Sequence, residues 1–590
     1  MRLRLKEPFP LLAKELLELA VRKRTYVVRV VYALALFAIF AYCYYDWSLS
    51  ALRPGQGGGS PFSMLGLGAQ AFQIIVGCQF AAILIFLPAS MSGVIAHEKE
   101  RDTLALLLLT DLQPGEILIE KYLSRLIPML TMLLASLPLL ALAYALGGFS
   151  PGDLCAGGYI LFLTCLQVGA IALMVSAYSG GVVGAFIGSY VMIAAVYLAV
   201  PMGCGLGAEF LGIEGLRHIP DEAEIALIPP VQYLYWSARS RFGGGQIAFV
   251  SALLRSVPVL VSIVVFLLLA RRYLHRRPFV RPRNLLLRVW EEVDPMVDWG
   301  VVLIREPDTL PHLEPVAWRE VSKKSLGKLR YLIRIFVLLE APILLVGLFV
   351  VSQGAPSRDE GEAFTFFVLL LCGLAVLATC MAAVNTISSE RLHRTLDALL
   401  TTPLSGAEIL RQKMRGVWRL ALVFIGPLAT LLVLEVWCEG AKRTAWAGPR
   451  DALIVLLQAL LYVPMFAWGA LWISLRLRNR LTAMFATLTT VVVWNALPVV
   501  VVLAAGLLQR NDWPTDLGWN ILTLSPAAML WVVETGYGET GYGSAKALPS
   551  FAPALLLVYV LILLWFRWRC LKYADHYLGR LPDGPAERRT

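Results

Sequence analysis

Twelve continuous apolar runs, each close to the length of one membrane crossing, constrain this chain more than any other feature. A bilayer core about 30 Å thick is crossed by roughly 20 apolar residues in a helix. The first six runs are Tyr26 to Tyr45, Ala71 to Met91, Leu126 to Leu146, Gly158 to Tyr178, Val182 to Met202 and Ile247 to Ala270. After a long charged stretch come Ile333 to Val351, Phe364 to Ile387, Leu420 to Val436, Ala452 to Leu475, Met484 to Leu508 and Ser550 to Phe566. Their apolar residues are unbroken instead of alternating, which predicts helices and not the strands of a barrel. Hydrophobic residues fill 58% of the 590 positions and charged residues 16%, too little polar surface to cover a soluble globule of this size. The expected fold is an all-α polytopic membrane protein with about twelve transmembrane helices.

An even number of spans leaves both termini on one side, and Arg and Lys say which, because basic residues are retained in the cytoplasm. Arg22, Lys23 and Arg24 precede the first run, and Arg271, Arg272, Arg276, Arg277, Arg281, Arg283 and Arg288 follow the sixth. Arg476, Arg478 and Arg480 separate the tenth from the eleventh, and Arg567, Arg569 and Lys572 follow the twelfth. All fall on one face, whereas Glu209, Glu214, Asp221, Glu222 and Glu224 lie on the other. The expectation is a multi-pass protein of the plasma (inner) membrane with both termini cytoplasmic. The net charge of +11 then reports topology, and nucleic acid is not an expected partner. The basic start runs into an apolar stretch that reaches Tyr45 without a small-residue cleavage site, so it reads as retained and not as a signal peptide. Nine cysteines are scattered with no CxxC pair and no histidine at ligand spacing, which argues against a zinc site or a disulfide framework. A bridge between Cys155 and Cys204 stays open.

The chain also repeats itself. Pro10, Glu15, Tyr26 and Arg29 return as Pro315, Glu320, Tyr331 and Arg334 at an offset of 305. Further on, Glu98, Thr103, Leu104, Thr110, Glu116 and Lys121 return as Glu390, Thr395, Leu396, Thr402, Glu408 and Lys413 at an offset of 292. The change of offset places a deletion in the second copy, most simply in its first outward loop. An even number of spans separates the copies, so the repeat is parallel, unlike the inverted repeats of many carriers. The expected units are 1–275 and 315–590, joined by a cytoplasmic linker over 276–314. Pro10 to Val27 and Pro315 to Leu332 share an amphipathic pattern, so each unit is expected to begin with a helix lying in the membrane interface.

The best-matched stretch is polar and falls between the second and third runs of each copy. In the second copy, Thr395 to Leu400 predicts a short helix, Thr401, Thr402, Pro403 and Leu404 break it, and Ser405 with Glu408 forms a capping box for the next helix. The first copy carries Asp111 where the second has Pro403, and supplies Pro114 as a first-turn residue. Glu390, Thr395, Leu396, Leu399, Leu400, Thr402, Pro403, Leu404, Ser405, Glu408, Ile409, Leu410 and Lys413 together resemble the motif of type-2 ABC permeases, the membrane components of ATP-binding-cassette exporters. The copies depart from that motif at Asp102 and Arg394, where the family usually has glycine, and the first also at Asp111-Leu-Gln in place of Pro-Leu-Ser. The resemblance implies six spans per unit, an interfacial helix before the first, and a coupling helix that docks on a nucleotide-binding subunit. It implies coupling loops over 97–121 and 389–413, with two ATPase subunits as partners alongside membrane lipid.

The chain itself reads as no enzyme. It has no GxxxxGK[ST] phosphate loop, since Gly327-Lys328 lacks the upstream glycine and the following hydroxyl residue. No cofactor or metal is expected in this chain; ATP and magnesium would belong to the partner. Phe242 to Gln246 reads as a glycine-rich turn on the outer side. Glu340 is the most unusual residue within a run and a candidate for a substrate or ion pathway. It sustains a rival reading, an ion-coupled secondary transporter, and a non-transporting membrane scaffold is the third. Gln73, Gln79, Gln167, Asn385, Gln458 and Asn495 read as hydrogen-bond glue between helices, or as pathway lining. Nothing in the sequence points to a particular substrate.

Overall fold

Inside a bilayer a backbone N–H or C=O has no water to bond, so an apolar run must satisfy its own backbone as a helix. The computed structural model bears this out, with helix dominant and no strand among the described residues. It describes residues 9–21, 23–52, 67–101, 103–110, 112–199, 228–229, 253, 256–276, 314–320, 333, 336–337, 339–341, 343–344, 358–440, 449–477, 479–508, 524–535 and 552–580. The chain divides into two compact units, Met1–Trp299 and Gly300–Thr590. The division falls within the expected linker, of which residues 277–313 lie outside the described residues.

The first unit contains α1 (Pro10–Val21), α2 (Lys23–Leu52), α3 (Leu67–Glu100), α4 (Leu104–Leu108), α5 (Pro114–Leu134), α6 (Leu137–Ala145), α7 (Pro151–Tyr178), α8 (Val182–Ala194) and α9 (Val257–Arg276). Pro10–Val21 and Tyr26–Ala41 are bent 71° from each other, so the chain turns sharply between the basic start and the first run. Helix α7 is the hub, packing on α3, α8 and α9. It starts well before the expected Gly158, because Ser150 and Asp153 cap it reciprocally and Pro151 fills the first turn. The third run is broken at Ala135 and Ser136 by Pro138, which lacks the N–H a continuous helix needs. Helix α8 ends in a π turn over Ala195–Ala199.

The second unit contains α10 (Pro315–Trp318), α11 (Arg358–Leu392), α12 (Leu396–Leu400), α13 (Gly406–Gly440), α14 (Pro449–Arg476), α15 (Arg480–Leu508), α16 (Pro526–Thr535), α17 (Ala552–Lys572) and α18 (Ala574–Leu578). Here α14 is the hub, packing on α11, α13 and α17. Eight described helices are long and apolar enough to cross a membrane, four in each unit, or nine if the bent pair at the start is one span. Of the other expected runs, the fifth is represented by the shorter Val182–Tyr197, the seventh lies mostly outside the described residues, and the twelfth is the helix Ala552–Lys572. The acidic loop residues from Glu209 to Glu224, Cys204, Phe242 to Gln246 and Gly327-Lys328 also lie outside them.

Several intramembrane amides are spent on helix contacts. Gln167 donates to Ser262 Oγ at 3.0 Å and accepts from Tyr197 at 2.9 Å. Gln79 donates to Ser136 at the break in the third run. Asn495 donates to the Val491 carbonyl at 2.8 Å and accepts from the Ala527 N–H at 3.0 Å. For these three the structure supports interhelical and local bonding.

Candidate functional site

The loop motif is built from the end of one long helix upward. Helix α11 closes in a Schellman turn: Thr395 N–H donates to the Glu390 carbonyl at 3.0 Å, and Arg394 N–H to the Arg391 carbonyl at 3.4 Å. That turn puts Arg394 at φ 54, in the left-handed region. A glycine would fit this position without strain, since a side chain there carries about 1–2 kcal/mol of steric cost. Arg394→Gly relieves that cost but frees the unfolded chain, for a net gain of about 0.5–1 kcal/mol at the turn. Hydrogen exchange at the Thr395 amide should slow about two- to fivefold in that variant, as exchange mass spectrometry would show. In the first unit Thr103 N–H donates to the Glu98 carbonyl at the same 3.0 Å.

Each turn leads into a short helix, α4 or α12, whose first leucine, Leu104 or Leu396, is buried. Both helices stop the same way: Thr110 Oγ1 donates to the Leu107 carbonyl and Thr402 Oγ1 to the Leu399 carbonyl, each at 2.6 Å. The next helix then starts on its cap. Ser405 N–H donates to Glu408 Oε2 at 3.0 Å, and Glu408 N–H returns a bond to Ser405 Oγ at 3.3 Å. In the first unit Gln113 N–H donates to Glu116 Oε2 at 3.0 Å, with Pro114 in the first turn. Pro403 is exposed, and Leu404 lends its carbonyl to Arg580 at 2.6 Å. Asp575, just after the last long helix, accepts from Gly406 N–H at 2.8 Å, so the chain's C-terminal stretch grips this break.

Below the loop, in each unit, one lysine sits between two carboxylates. Lys413 Nζ lies 2.9 Å from Glu320 Oε1 and 2.9 Å from Glu390 Oε1, and the Thr395 hydroxyl donates to the other Glu390 oxygen. Lys121 Nζ lies 2.6 Å from Glu98 Oε1 and 3.4 Å from Glu15 Oε1, and Ser124 Oγ donates to Glu15 Oε2 at 2.5 Å. A nearby arginine adds positive charge in both cases: Arg319 is 3.9 Å from Glu390, and Arg125 is 3.8 Å from Glu15. The second cluster is the drier, with side-chain exposures of 1% for Lys413, 7% for Glu320 and 4% for Glu390, against 4% for Lys121, 21% for Glu15 and 24% for Glu98. These clusters join three elements: the segment before the first span, the end of the second span, and the start of the third. The residue before each lysine adds a second tie. Glu120 Oε2 accepts from Leu12 N–H at 3.0 Å, while Gln412 Oε1 accepts from Val316 N–H at 3.1 Å and Ala317 N–H at 3.3 Å. These are first-turn N–H groups that a helix cannot satisfy internally.

A further pair was not picked out by the motif. Lys99 reaches the Ala177 and Ser179 carbonyls at the end of α7. Arg391 reaches Ser474, Leu475 and Leu477 carbonyls at the end of α14, at 3.1 to 3.2 Å. A cation at a helix C-terminus meets both unpaired carbonyls and the negative end of the helix dipole. Nearby, Ser176 Oγ donates to the Ser92 carbonyl at 2.7 Å and Ser474 Oγ to the Val384 carbonyl at 2.9 Å. The signal that could have found them was the basic residue shared directly after Glu98 and Glu390. The side chains turned outward on the loops are different ones, among them Leu106 and Leu109 in the first unit and Asp397, Ala398 and Thr401 in the second. Glu340 is not part of either cluster; it is buried, and its Oε2 has no hydrogen-bond partner among the described residues. No group of three or more potential metal ligands occurs among the described residues.

The fold and its apolar helices define a multi-pass, all-α membrane protein. No protein-family model matches the chain, and no curated protein matches it.

Proposed function

We propose that this chain is the transmembrane permease of an ATP-binding-cassette transporter, an exporter, built from two parallel six-span repeats and powered by separate ATPase subunits. The observation that carries this reading is the pair of lysine-centred clusters. Residues matched at offsets 305 and 292 meet around Lys121 in one unit and around Lys413 in the other. Each cluster fastens a cytoplasmic loop to the interfacial segment and to two spans, so force applied to the loop by a partner moves those elements together. The loops 97–121 and 389–413 are the proposed docking sites, with both termini cytoplasmic in the plasma (inner) membrane. ATP and magnesium belong to the partner's chemistry; this chain supplies the pathway. The buried Glu340 oxygen, which has no hydrogen-bond partner among the described residues, favours the second reading, an ion-coupled carrier.

The test is isolation of the chain from its native membrane in mild detergent, with associated proteins identified by mass spectrometry. The permease reading expects an ATPase with a phosphate loop at two copies per chain. Recovery of the intact chain with no such subunit, together with gradient-driven transport abolished in Glu340→Gln, would replace it with the carrier reading.

A further inference from the structure

The second unit contains a partly open cavity of ≈150 Å³ between α11, α13, α14, α15 and α16, with Cys372, Ala375, Cys380, Phe424, Tyr462 and Asn495 in its wall. The 292 offset that pairs Glu98 with Glu390 pairs Phe80 with Cys372 and Ile83 with Ala375. Phe80 and Ile83 are buried in the core of the first unit. The second unit therefore lacks a phenyl ring and a branched alkyl chain where the first is filled, and the space lies at those positions. Its polar side chains are already committed. Asn495 uses both ends of its amide on Val491 and Ala527, Thr487 donates to the Ala483 carbonyl at 2.8 Å, and Tyr462 is bonded to Gln458 and Met529. A water needs two to four polar partners, and an apolar cavity of this size stays dry and accepts hydrocarbon. The wall also includes Gly373, which is exposed and has no neighbour where a Cβ would stand, so it leaves an opening at the helix surface. Cys372 and Ala375 stand about four to five turns along α11 from Glu390, well inside the apolar span.

We propose that this cavity holds the end of one hydrocarbon chain of a bilayer lipid, entering past Gly373. The site is independent of the ATPase reading, because it rests on the packing of the second unit alone. It disfavours charged ligands, since no charged side chain lines it and Asn495, Thr487 and Tyr462 are each already bonded to protein.

The experiment uses the full chain in nanodiscs of phosphatidylcholine doped with a phosphatidylcholine carrying a diazirine at the chain end. After irradiation, adducts are mapped by mass spectrometry. Adducts are expected on Cys372, Cys380 or Tyr462, falling at least tenfold in Cys372→Phe with Ala375→Ile, which installs the first unit's own residues. Adducts on the exposed Leu422 and Val433 should not change. Gly373→Phe, whose side chain starts in open space, should reduce cavity labelling by closing the mouth and serves if the filled variant does not fold. Labelling confined to Leu422 and Val433 in the unmodified protein would overturn the proposal, as would cavity adducts that persist when the space is filled.

Discussion

Lys413→Met should destabilise the second unit by about 3–5 kcal/mol, because it leaves two carboxylates facing each other with their shared cation gone. Both carboxylates are nearly dry, so water does little to replace the ammonium. Arg319, at 3.9 Å from Glu390, is itself half exposed and compensates weakly. Lys121→Met should cost clearly less, since Glu15 and Glu98 each keep about a fifth to a quarter of their side chain in solvent. Replacing all of Glu320, Glu390 and Lys413 by apolar residues of similar volume should recover much of the loss, since a buried ion cluster is often no more stable than its hydrophobic counterpart. Hydrogen exchange over 389–413 and 97–121, with thermal unfolding in nanodiscs, reads all three variants. Equal and small effects of the two lysine variants would show that burial does not govern these clusters.

The second large effect concerns coupling. Glu390→Gln with Thr395→Val removes one charge from Lys413 and deletes the hydroxyl that holds the second Glu390 oxygen. Neither residue points outward to a partner: Glu390 is buried and Thr395 half-buried. A docked ATPase should therefore still bind and hydrolyse ATP. Under the permease reading transmission should fail, because the end of α11 loses its charged tie to Lys413 and, through Lys413, to Glu320. The response of the spans to ATP with vanadate, read by spin labels within the second unit, should fall at least tenfold while ATP hydrolysis persists. A full response would show that the cluster is structural only.

Eight of the twelve expected spans and the helix starts of the loops were legible because periodicity and caps are local. Ser405 with Glu408, and Pro114 after Gln113, could be read as helix starts from residue type alone, and both are found as such. The ends of the long helices were not legible from hydropathy. Helix α3 runs to Glu100 and α11 to Leu392, beyond the apolar runs, because Lys99 and Arg391 extend those helices to bond the carbonyl ends of α7 and α14. The clusters were half legible. Glu15, Glu98 and Lys121 each stood out by recurrence, but their meeting depends on a fold that brings residues over a hundred positions apart into contact. For the same reason their side chains lie inside the unit, while the outward face of the loop is carried by Leu106, Leu109, Asp397 and Ala398, which recurrence alone did not select. Arg394 shows the converse: a departure from the glycine of the motif was visible, and its backbone is left-handed, where a glycine would fit without strain.

Photo-crosslinking from the outward face of each loop would reveal an ATPase docked there. A diazirine amino acid placed at Leu106 or Ala398, both exposed and neither holding the clusters together, should join the chain to an ATPase subunit in native membranes. The same probe at the exposed Leu561 of α17 should join it to lipid. Adducts with lipid alone at Leu106 and Ala398 would contradict an ATPase docked on these loops.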